Sequence, residues 1–355
     1  MKRNKLAFVM SGGFIKGVAH IPIAKGMYKR GYVPDDLVGS SIGAVIAVLL
    51  GLYDDPEKVE KPVLDFVGKH IWPQLLSVDI FSKAGLFESK EAVRLIAKEA
   101  GFAGKTFSDL KKPVYITATD LNTGKLVVFG GERRTVARLE TSCGKGHACR
   151  ISTDEYRFQS RNRNRMTQTT IEESLEAAIS FPVIFKPKKL KIGGKVMALA
   201  DGGIRENCPI SVAAKLPGVN RIIACDLGYC GQLKGDFNKK SAAEVFMQCL
   251  ELTTSFSQIN RYINDDIFIK KNISVRIVNP GIFDVFPFDL KEIPSVMKRS
   301  SKTAKIIFGR FKTPKAFFHA WRSDPYRRQY MTVEHIGRKR TNAWEIIDFD
   351  IHPDK

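Results

Sequence analysis

Three short segments of the chain combine a chemically useful group with glycines that permit a sharp turn. Residues 39–43 (Gly-Ser-Ser-Ile-Gly) offer a serine hydroxyl, and residues 201–203 (Asp-Gly-Gly) offer a carboxylate. Residues 11–13 (Ser-Gly-Gly) offer backbone N–H groups that no large side chain covers. A hydroxyl, a carboxylate and a set of N–H donors are the nucleophile, the general base and the oxyanion stabiliser of acyl transfer. Together the three segments predict an acyl-transfer site.

The segment 38–43 has the pattern of a nucleophile elbow, a turn between a strand and a helix that exposes a serine hydroxyl. Asp36–Val38 can end a short buried strand, and Ala44–Leu50 can continue as a buried helix. Gly39 and Gly43 fit such a turn because it is strained and because neighbouring backbone passes close to the serine. A glycine-flanked helix start, whose serine only caps the backbone, would show the same residues.

The elements that must position these segments follow from the alternation of apolar runs with helical spacing. Strands are predicted at 6–10, 36–38, 113–120, 126–129, 197–200, 221–226 and 274–278, the last of these closing the core. Helices are predicted at 18–30, at 89–100 and from 241 through the 250s. This alternation indicates an α/β fold with three α/β/α layers around a mostly parallel sheet. Because the carboxyl ends of parallel strands share one edge, we expect the three segments to meet there.

These segments resemble the motifs of the patatin-like phospholipase family. Residues 11–17 (Ser-Gly-Gly-Phe-Ile-Lys-Gly) are similar to its glycine-rich oxyanion motif, usually Gly-Gly-Gly-x-Arg/Lys-Gly. Residues 39–43 are similar to its nucleophile motif, 201–203 to its Asp-Gly-Ala/Gly motif, and 174–187 to the segment that precedes the aspartate. The resemblance implies a serine hydrolase that cleaves acyl esters of phospholipids, lysophospholipids or neutral glycerides and needs no metal or cofactor.

By the same resemblance, Ser41 is the nucleophile and Asp201 the general base of a dyad without histidine. The oxyanion hole is assigned to Gly12 and Gly13, with the N–H of Phe14 as a third candidate. Phe14 stands where the family has a third glycine, and a bulky L-residue disfavours positive φ, so we expect a loop geometry that Phe14 tolerates. The supporting positions of these motifs are Lys16, Gly17, Gly39, Gly43, Gly202 and Gly203. Lysine at position 16 keeps the charge of the commoner arginine but loses its planar fork.

Composition favours a protein with a large core and an anionic partner. The chain has 355 residues, is 44% hydrophobic and carries a formal net charge of +20. That charge suits a membrane surface, nucleic acid or an acidic substrate, and beside a lipid site we expect the anionic membrane and no nucleic acid. The apolar run at 6–10 is too short for a signal peptide, and no run is long enough to span a bilayer. With six cysteines that indicate reduced thiols, we predict a cytoplasmic protein with peripheral contact at the inner membrane surface.

Two regions of distinctive composition shape the predicted domain organisation. We divide the chain into a patatin-like catalytic domain at 5–230 and a C-terminal extension at 231–355 that completes the core. Residues 131–170 hold nine Lys or Arg with few apolar residues, which indicates a basic insertion in the first domain. Residues 298–330 hold ten Lys or Arg and seven aromatic residues, a combination that suits an anionic membrane surface. Ordinary helix surface over buried aromatic residues would have the same composition.

Other functions compete with this prediction. A Ser-Asp-His triad would need one of the later histidines, His319, His335 or His352, none of which follows a clear core strand. Dinucleotide binding needs a glycine spacing that Gly12, Gly13 and Gly17 do not have.

Two further alternatives concern metal binding and the loss of activity. A metal site could use Cys143, His147 and Cys149, although only three ligands cluster at an unusual spacing. A weakly active or inactive fold that binds membranes or nucleic acid would explain the charge and Phe14, but the retention of Ser41 and Asp201 argues against it. His20 lies near the glycine loop in sequence, and we expect its ring to bond to backbone.

Overall fold

Short apolar runs and amphipathic segments give the chain an alternating order of strands and helices in the computed structural model. The structure describes residues 5–71, 89–131, 135–138, 169–182, 184–192, 195–228, 238, 240–264, 273–309, 332–334 and 345–346. Most of the predicted insertion, all three candidate triad histidines and all three candidate metal ligands lie outside these ranges.

The bounds of the elements are as follows. The strands are β1 (Lys5–Met10), β2 (Asp36–Ser40), β3 (Val114–Asp120), β4 (Lys125–Gly130), β5 (Thr135–Arg138), β6 (Lys188–Ile192), β7 (Lys195–Asp201), β8 (Val219–Cys225), β9 (Ser274–Val278), β10 (Thr332–Glu334) and β11 (Glu345–Ile346). The α-helices are α1 (His20–Lys29), α2 (Ile42–Tyr53), α3 (Glu60–Asp65), α4 (Lys90–Ala100), α5 (Ile171–Ala178), α6 (Gly203–Glu206), α7 (Ile210–Lys215), α8 (Ala242–Asn264) and α9 (Ile293–Phe308). Short 3-10 turns span Phe14–Ala19, Phe107–Asp109 and Leu290–Glu292, and a π-helical turn spans Phe66–Ile71.

The central sheet is mostly parallel, as the sequence predicts. Strands β9, β8, β1, β2 and β3 lie side by side in that order and run parallel. Beyond β3 the antiparallel strands β4 and β5 continue the sheet. The sheet also continues past β9, which the sequence places last in the core, because β10 pairs antiparallel with it and β11 with β10.

Both faces of the sheet are buried, which explains the uninterrupted apolar run of β1. Leu6, Phe8 and Met10 join the core beneath α1, α2, α4 and α5. The alternate residues Ala7 and Val9 join a second core beneath α7. Each of these five side chains is at most 3% exposed, as expected for a parallel strand covered on both sides. The architecture is therefore the predicted three-layer α/β/α arrangement.

Strand β7 brings Asp201 to the end of β2, next to Ser41, by a route that the sequence does not predict. Strand β4 occupies one edge of β3, so β2 and β7 share the other edge and meet there end to end. Ser40 is in register with Thr117 of β3, and Asp201 is in register with the next residue, Ala118. The expectation that the aspartate follows a strand parallel to β2 is wrong, because β7 runs antiparallel to β3. Asp201 reaches the carboxyl edge of the parallel strands from the opposite direction.

Residues beyond 230 pack into the same core. Strand β9 extends the parallel sheet, and the Phe308 ring of α9 packs against Tyr32 at a centroid distance of 6.1 Å. The Arg299 guanidinium is buried and forms an ion pair with Asp284 at 2.7 Å. Arg299 and Phe308 therefore belong to the core, and not to the basic, aromatic surface predicted for 298–330. Of that segment, residues 310–330 lie outside the described ranges.

Among the described helices, none is both long enough and apolar enough for a bilayer span.

Candidate active site

Ser41 occupies a strained turn between a buried strand and a buried helix. Its backbone has φ 53° and ψ −128°, where β2 ends and α2 begins. A non-glycine residue in such a region costs about 1–3 kcal/mol and persists only where its surroundings impose it. The surroundings of Ser41 are packed closely enough to impose this conformation. A Cβ on Gly39 would overlap the Gly43 carbonyl, and a Cβ on Gly43 would overlap the Met10 carbonyl. The tight packing holds the half-buried Ser41 at the surface of the turn.

Asp201 is a buried carboxyl beside this serine. Its side chain is 1% exposed, and Oδ1 accepts a hydrogen bond from the Gly203 N–H at 2.7 Å. Burial disfavours the ionised carboxylate and raises the pKa of Asp201 to about 6. Hydrogen bonds from the Ser41 hydroxyl and the Gly203 N–H favour the ionised form and offset part of this increase. Oδ2 has no hydrogen-bond partner of good geometry within the described ranges, and such bonds often tighten only when substrate binds. A carboxylate with a raised pKa is suited to accept the serine proton.

His20 holds the glycine loop and is not a partner of Ser41. Its Nε2 lies 2.8 Å from the Ser11 carbonyl oxygen, and because a carbonyl can only accept, Nε2 donates. The ring is fully buried, and this burial lowers the pKa of His20 to about 4. The histidine is therefore neutral at physiological pH. The expectation that it bonds to backbone is confirmed.

The three predicted oxyanion donors, the N–H groups of Gly12, Gly13 and Phe14, differ in their hydrogen bonds. The Gly12 N–H, one of the predicted oxyanion donors, donates to the Asn207 carbonyl at 3.1 Å. The N–H groups of Gly13 and Phe14 make no hydrogen bond within the described part of the chain. Both belong to the loop that packs against Ser41, since a Cβ on Gly12 would lie 2.9 Å from the Ser41 Cβ. Gly13 and Phe14 are the remaining donors.

Phe14 adopts a φ of 53°, in the backbone region that a bulky L-residue disfavours. The reason lies in its ring, which packs against Phe181 at 4.7 Å and against Phe288 at 4.5 Å between centroids. Each aromatic pair contributes about 0.5–1.5 kcal/mol. Two pairs together offset a backbone cost of about 1–3 kcal/mol. The aromatic cluster thus allows phenylalanine at a glycine-like position.

Two pockets meet at Ser41. The first is almost entirely apolar and is lined by Phe14, Ile15, Ser41, Ile42, Phe66, Val67, Ile179, Ile184, Phe185, Pro287 and Phe288. The second carries the polar groups of the site, among them Gly13, Lys16, Asp201, Asn207, Glu251 and Thr254. Phe14, Ser41 and Pro287 line both pockets. An acyl chain fits the chemistry of the first pocket, and a polar head fits that of the second.

A family model described as patatin-like phospholipase matches residues 8–214, which is more than half of the chain. The chain belongs to the patatin-like phospholipase family. Lipid acyl hydrolysis is the activity at the level of this family, and the three motif segments all lie within the matched residues.

Individual relatives of this patatin-like protein are distant. The chain is similar to the uncharacterized protein YqhO of Bacillus subtilis, with 23% identity over 218 residues that cover 58% of this chain and 66% of YqhO. Among solved structures, it is similar to VipD from Legionella pneumophila, with 13% identity, a TM-score of 0.44 and coverage of 94% of this chain and 68% of VipD. It is also similar to the SpcU–ExoU complex from the type III secretion system of Pseudomonas aeruginosa, with 11% identity, a TM-score of 0.32 and coverage of 92% and 69%.

Asn207 is a site residue that sequence reasoning missed. Its carbonyl accepts from the Gly12 N–H, and its Nδ2 donates to the Gly12 carbonyl at 3.4 Å. Its Oδ1 fills the space beside two glycines, 2.5 Å from where a Cβ on Gly12 would lie and 2.8 Å from one on Gly203. Asn207 therefore fixes the glycine loop against the turn that carries Asp201. The sequence indicates a role for Asn207 only through its position, six residues after Asp201.

Helix α8 lies over the site, although it falls outside the residues that the family model matches. The Lys16 ammonium, with a side chain only 1% exposed, lies 2.9 Å from Oε1 of Glu251 on this helix. The ion pair connects the helix to the glycine loop. The other supporting glycines are also close approaches, since a Cβ would collide with Ile42 at Gly17, with Thr117 at Gly202 and with Asn207 at Gly203.

Proposed function

We propose that this patatin-like protein is a serine hydrolase that cleaves fatty-acyl esters of phospholipids or lysophospholipids. One observation carries the proposal: the strained turn presents the Ser41 hydroxyl beside the buried carboxyl of Asp201, at the mouth of an apolar pocket. The family supports the reaction class. The choice of phospholipid rests on the polar second pocket with its buried lysine.

In the first half-reaction, Asp201 takes the proton of the Ser41 hydroxyl while Oγ attacks the ester carbonyl carbon. The carbonyl oxygen becomes an oxyanion that accepts hydrogen bonds from the N–H groups of Gly13 and Phe14. Each such donor is typically worth about a hundredfold or more in rate. The ester C–O bond then breaks, and the departing alcohol receives the proton from Asp201. The acyl group remains bound to Ser41.

In the second half-reaction, water takes the place of the alcohol. Asp201 accepts a proton from the water as it attacks the acyl carbon, and the same N–H groups stabilise the second oxyanion. The bond to Oγ breaks, and Ser41 regains the proton from Asp201. Fatty acid leaves, and both side chains return to their starting protonation states. A single buried carboxyl thus serves as base and acid in turn.

The test measures hydrolysis of a phospholipid, a lysophospholipid and a short-chain ester by wild type, Ser41→Ala and Asp201→Asn. We expect both variants to lose at least about a thousandfold in rate on every substrate. Ser40→Ala is the matched control, because its hydroxyl is buried and has no partner within the described ranges. It should retain activity. Wild-type rates in folded Ser41→Ala would contradict the proposal.

A different outcome would favour a binding protein on the same fold. That outcome is the absence of hydrolysis in wild type together with binding to anionic vesicles or nucleic acid that weakens steeply with salt.

A further inference from the structure

Helix α8 carries apolar side chains on two opposite faces. Its inner face, including Met247 and Leu250, lines the polar pocket beside Ser41. Its outer face carries Val245, Phe246 and Leu252, which are 39%, 48% and 44% exposed. These outer residues are spaced at i, i+1 and i+7, and the exposed Cys249 at i+4 lies on the same side. We name Val245, Phe246, Cys249 and Leu252 the outer face of α8.

This concentration is unusual within the described part of the molecule. Seven large hydrophobic residues there are exposed, and three of them belong to the outer face of α8. A fourth, Ile204, is 37% exposed and lines the same pocket as the inner face of the helix. Exposed apolar residues scattered singly need no explanation, but a patch beside a pocket indicates an interaction surface.

We propose that the outer face of α8 docks on an anionic lipid bilayer and that this contact brings the mouth of the site to its substrate. The docking role rests on the proposed function, because acyl lipids reside in membranes and the pocket that would receive them opens beneath this helix. The net charge of +20 belongs to the chain as a whole, and it attracts the whole protein to an anionic surface. A helix with one apolar and exposed face lies in the plane of the interface, with its apolar side chains at the boundary between headgroups and acyl chains.

The position of the helix couples docking to the site. Glu251 and Thr254 on the inner face line the pocket, and Glu251 holds the Lys16 ammonium of the glycine loop at 2.9 Å. A bilayer that contacts the outer face therefore lies across one helix diameter from the polar pocket, about 10 Å. A lipid that leaves the bilayer beside α8 needs to pass only this helix to enter the pocket that Ser41 also lines.

The test measures vesicle binding by the full chain carrying Ser41→Ala, so that hydrolysis does not alter the vesicles. Vesicles of phosphatidylcholine with phosphatidylglycerol are compared with phosphatidylcholine alone by co-sedimentation. The variant Val245→Ser/Phe246→Ser/Leu252→Ser should bind the anionic vesicles at least about tenfold more weakly, since it removes three side chains that would leave water. Phe246→Ser alone should show a smaller loss in the same direction.

The matched control is Val33→Ser, compared with Val245→Ser. Val33 is 45% exposed, close to the value for Val245, but it lies before β2, at the end of that strand far from Ser41. We expect binding to fall for Val245→Ser and to stay unchanged for Val33→Ser. With Ser41 restored, the triple variant should hydrolyse a short-chain, water-soluble ester at the wild-type rate and vesicle lipid more slowly.

Three results would overturn the docking proposal. They are equal vesicle binding by the triple variant and its parent, no binding by the parent at all, and a shift from dimer to monomer in sedimentation velocity when the outer face is changed. The last result would make the outer face a contact between two copies of the chain. Failure of the proposed function is distinguishable, because vesicle binding would then persist while wild type hydrolyses no ester.

Discussion

Replacing Asp201 with asparagine should make the protein more stable at neutral pH while it removes the proposed general base. The carboxyl is 1% exposed, and burial raises its pKa from the ordinary 3.8 to about 6. That displacement corresponds to about 3 kcal/mol of unfavourable free energy for burying the ionised form. Asparagine has the same shape, and its Oδ1 can still accept from the Gly203 N–H. The variant therefore avoids the cost of the charge without losing this hydrogen bond.

The pH dependence of this stability difference follows from proton binding at Asp201. Between pH 3.8 and about 6 the folded wild type holds a proton at Asp201 that the unfolded chain has lost. Wild-type stability therefore falls as pH rises through this window, and asparagine at position 201 removes that dependence. We expect the two proteins to be equally stable below about pH 4. Above about pH 7 the variant should be more stable by about 3 kcal/mol.

Urea unfolding followed by circular dichroism at pH 4 to 8 gives the free energy of unfolding for both proteins. Asp109→Asn is a control in which the effect on stability should have the opposite sign. The N–H and hydroxyl of Thr106 donate to this exposed carboxyl and lower the pKa of Asp109. Wild type should be the more stable of that pair at neutral pH, with the difference lost as the pH falls. A stability gap between Asp201→Asn and wild type that does not change with pH would refute the reasoning about burial.

Three further predictions concern the same site. Wild-type kcat/KM on a short-chain ester should rise with pH through about 6, because only ionised Asp201 accepts a proton. We expect the value at pH 5 to be roughly tenfold lower than at pH 7. A kcat/KM that does not change with pH would exclude Asp201 as the base. Gly43→Ala should lower the free energy of unfolding in urea by about 3 kcal/mol or more, because the added Cβ overlaps the Met10 carbonyl. Gly68→Ala is the control, since the space around Gly68 is open and its free energy of unfolding should change little. Glu251→Gln should cost about 3 kcal/mol because it removes a carboxylate 2.9 Å from the buried Lys16 ammonium. Glu251→Gln combined with Lys16→Met should recover part of that loss, and additive losses would show that the pair is not coupled.

Local patterns in the sequence predicted the parts of the fold that local physics determines. The apolar run 6–10 forms β1, and the glycine pair 39 and 43 marks the turn at Ser41. The helix predicted from 241 begins there as α8, where Ser241 and Glu244 bond reciprocally in a capping box. Each of these features depends on residues a few positions apart, whose spacing a single chain displays.

Features that depend on distant packing were missed. The direction of β7 depends on which edge of β3 is free, and the run 197–200 contains no information about that. The positive φ of Phe14 depends on Phe181 and Phe288, which are far away in sequence. The hydrogen bond that the Gly12 N–H donates likewise depends on the backbone of Asn207. The chemical groups of the site can be read from local motifs. The contacts that decide the conformation and the hydrogen bonds of these groups join residues far apart in sequence.

The end-to-end meeting of β2 and β7 has a consequence for the newly synthesised chain. The ribosome delivers Ser41 long before Asp201, and the two become neighbours only when β7 pairs with β3. Long-range strand pairing of this kind forms late, after the entropy of closing a large loop has been overcome. A chain whose synthesis is unfinished therefore holds the Ser41 hydroxyl without the neighbouring Asp201 carboxyl, so on the proposed mechanism it is inactive until β7 has paired.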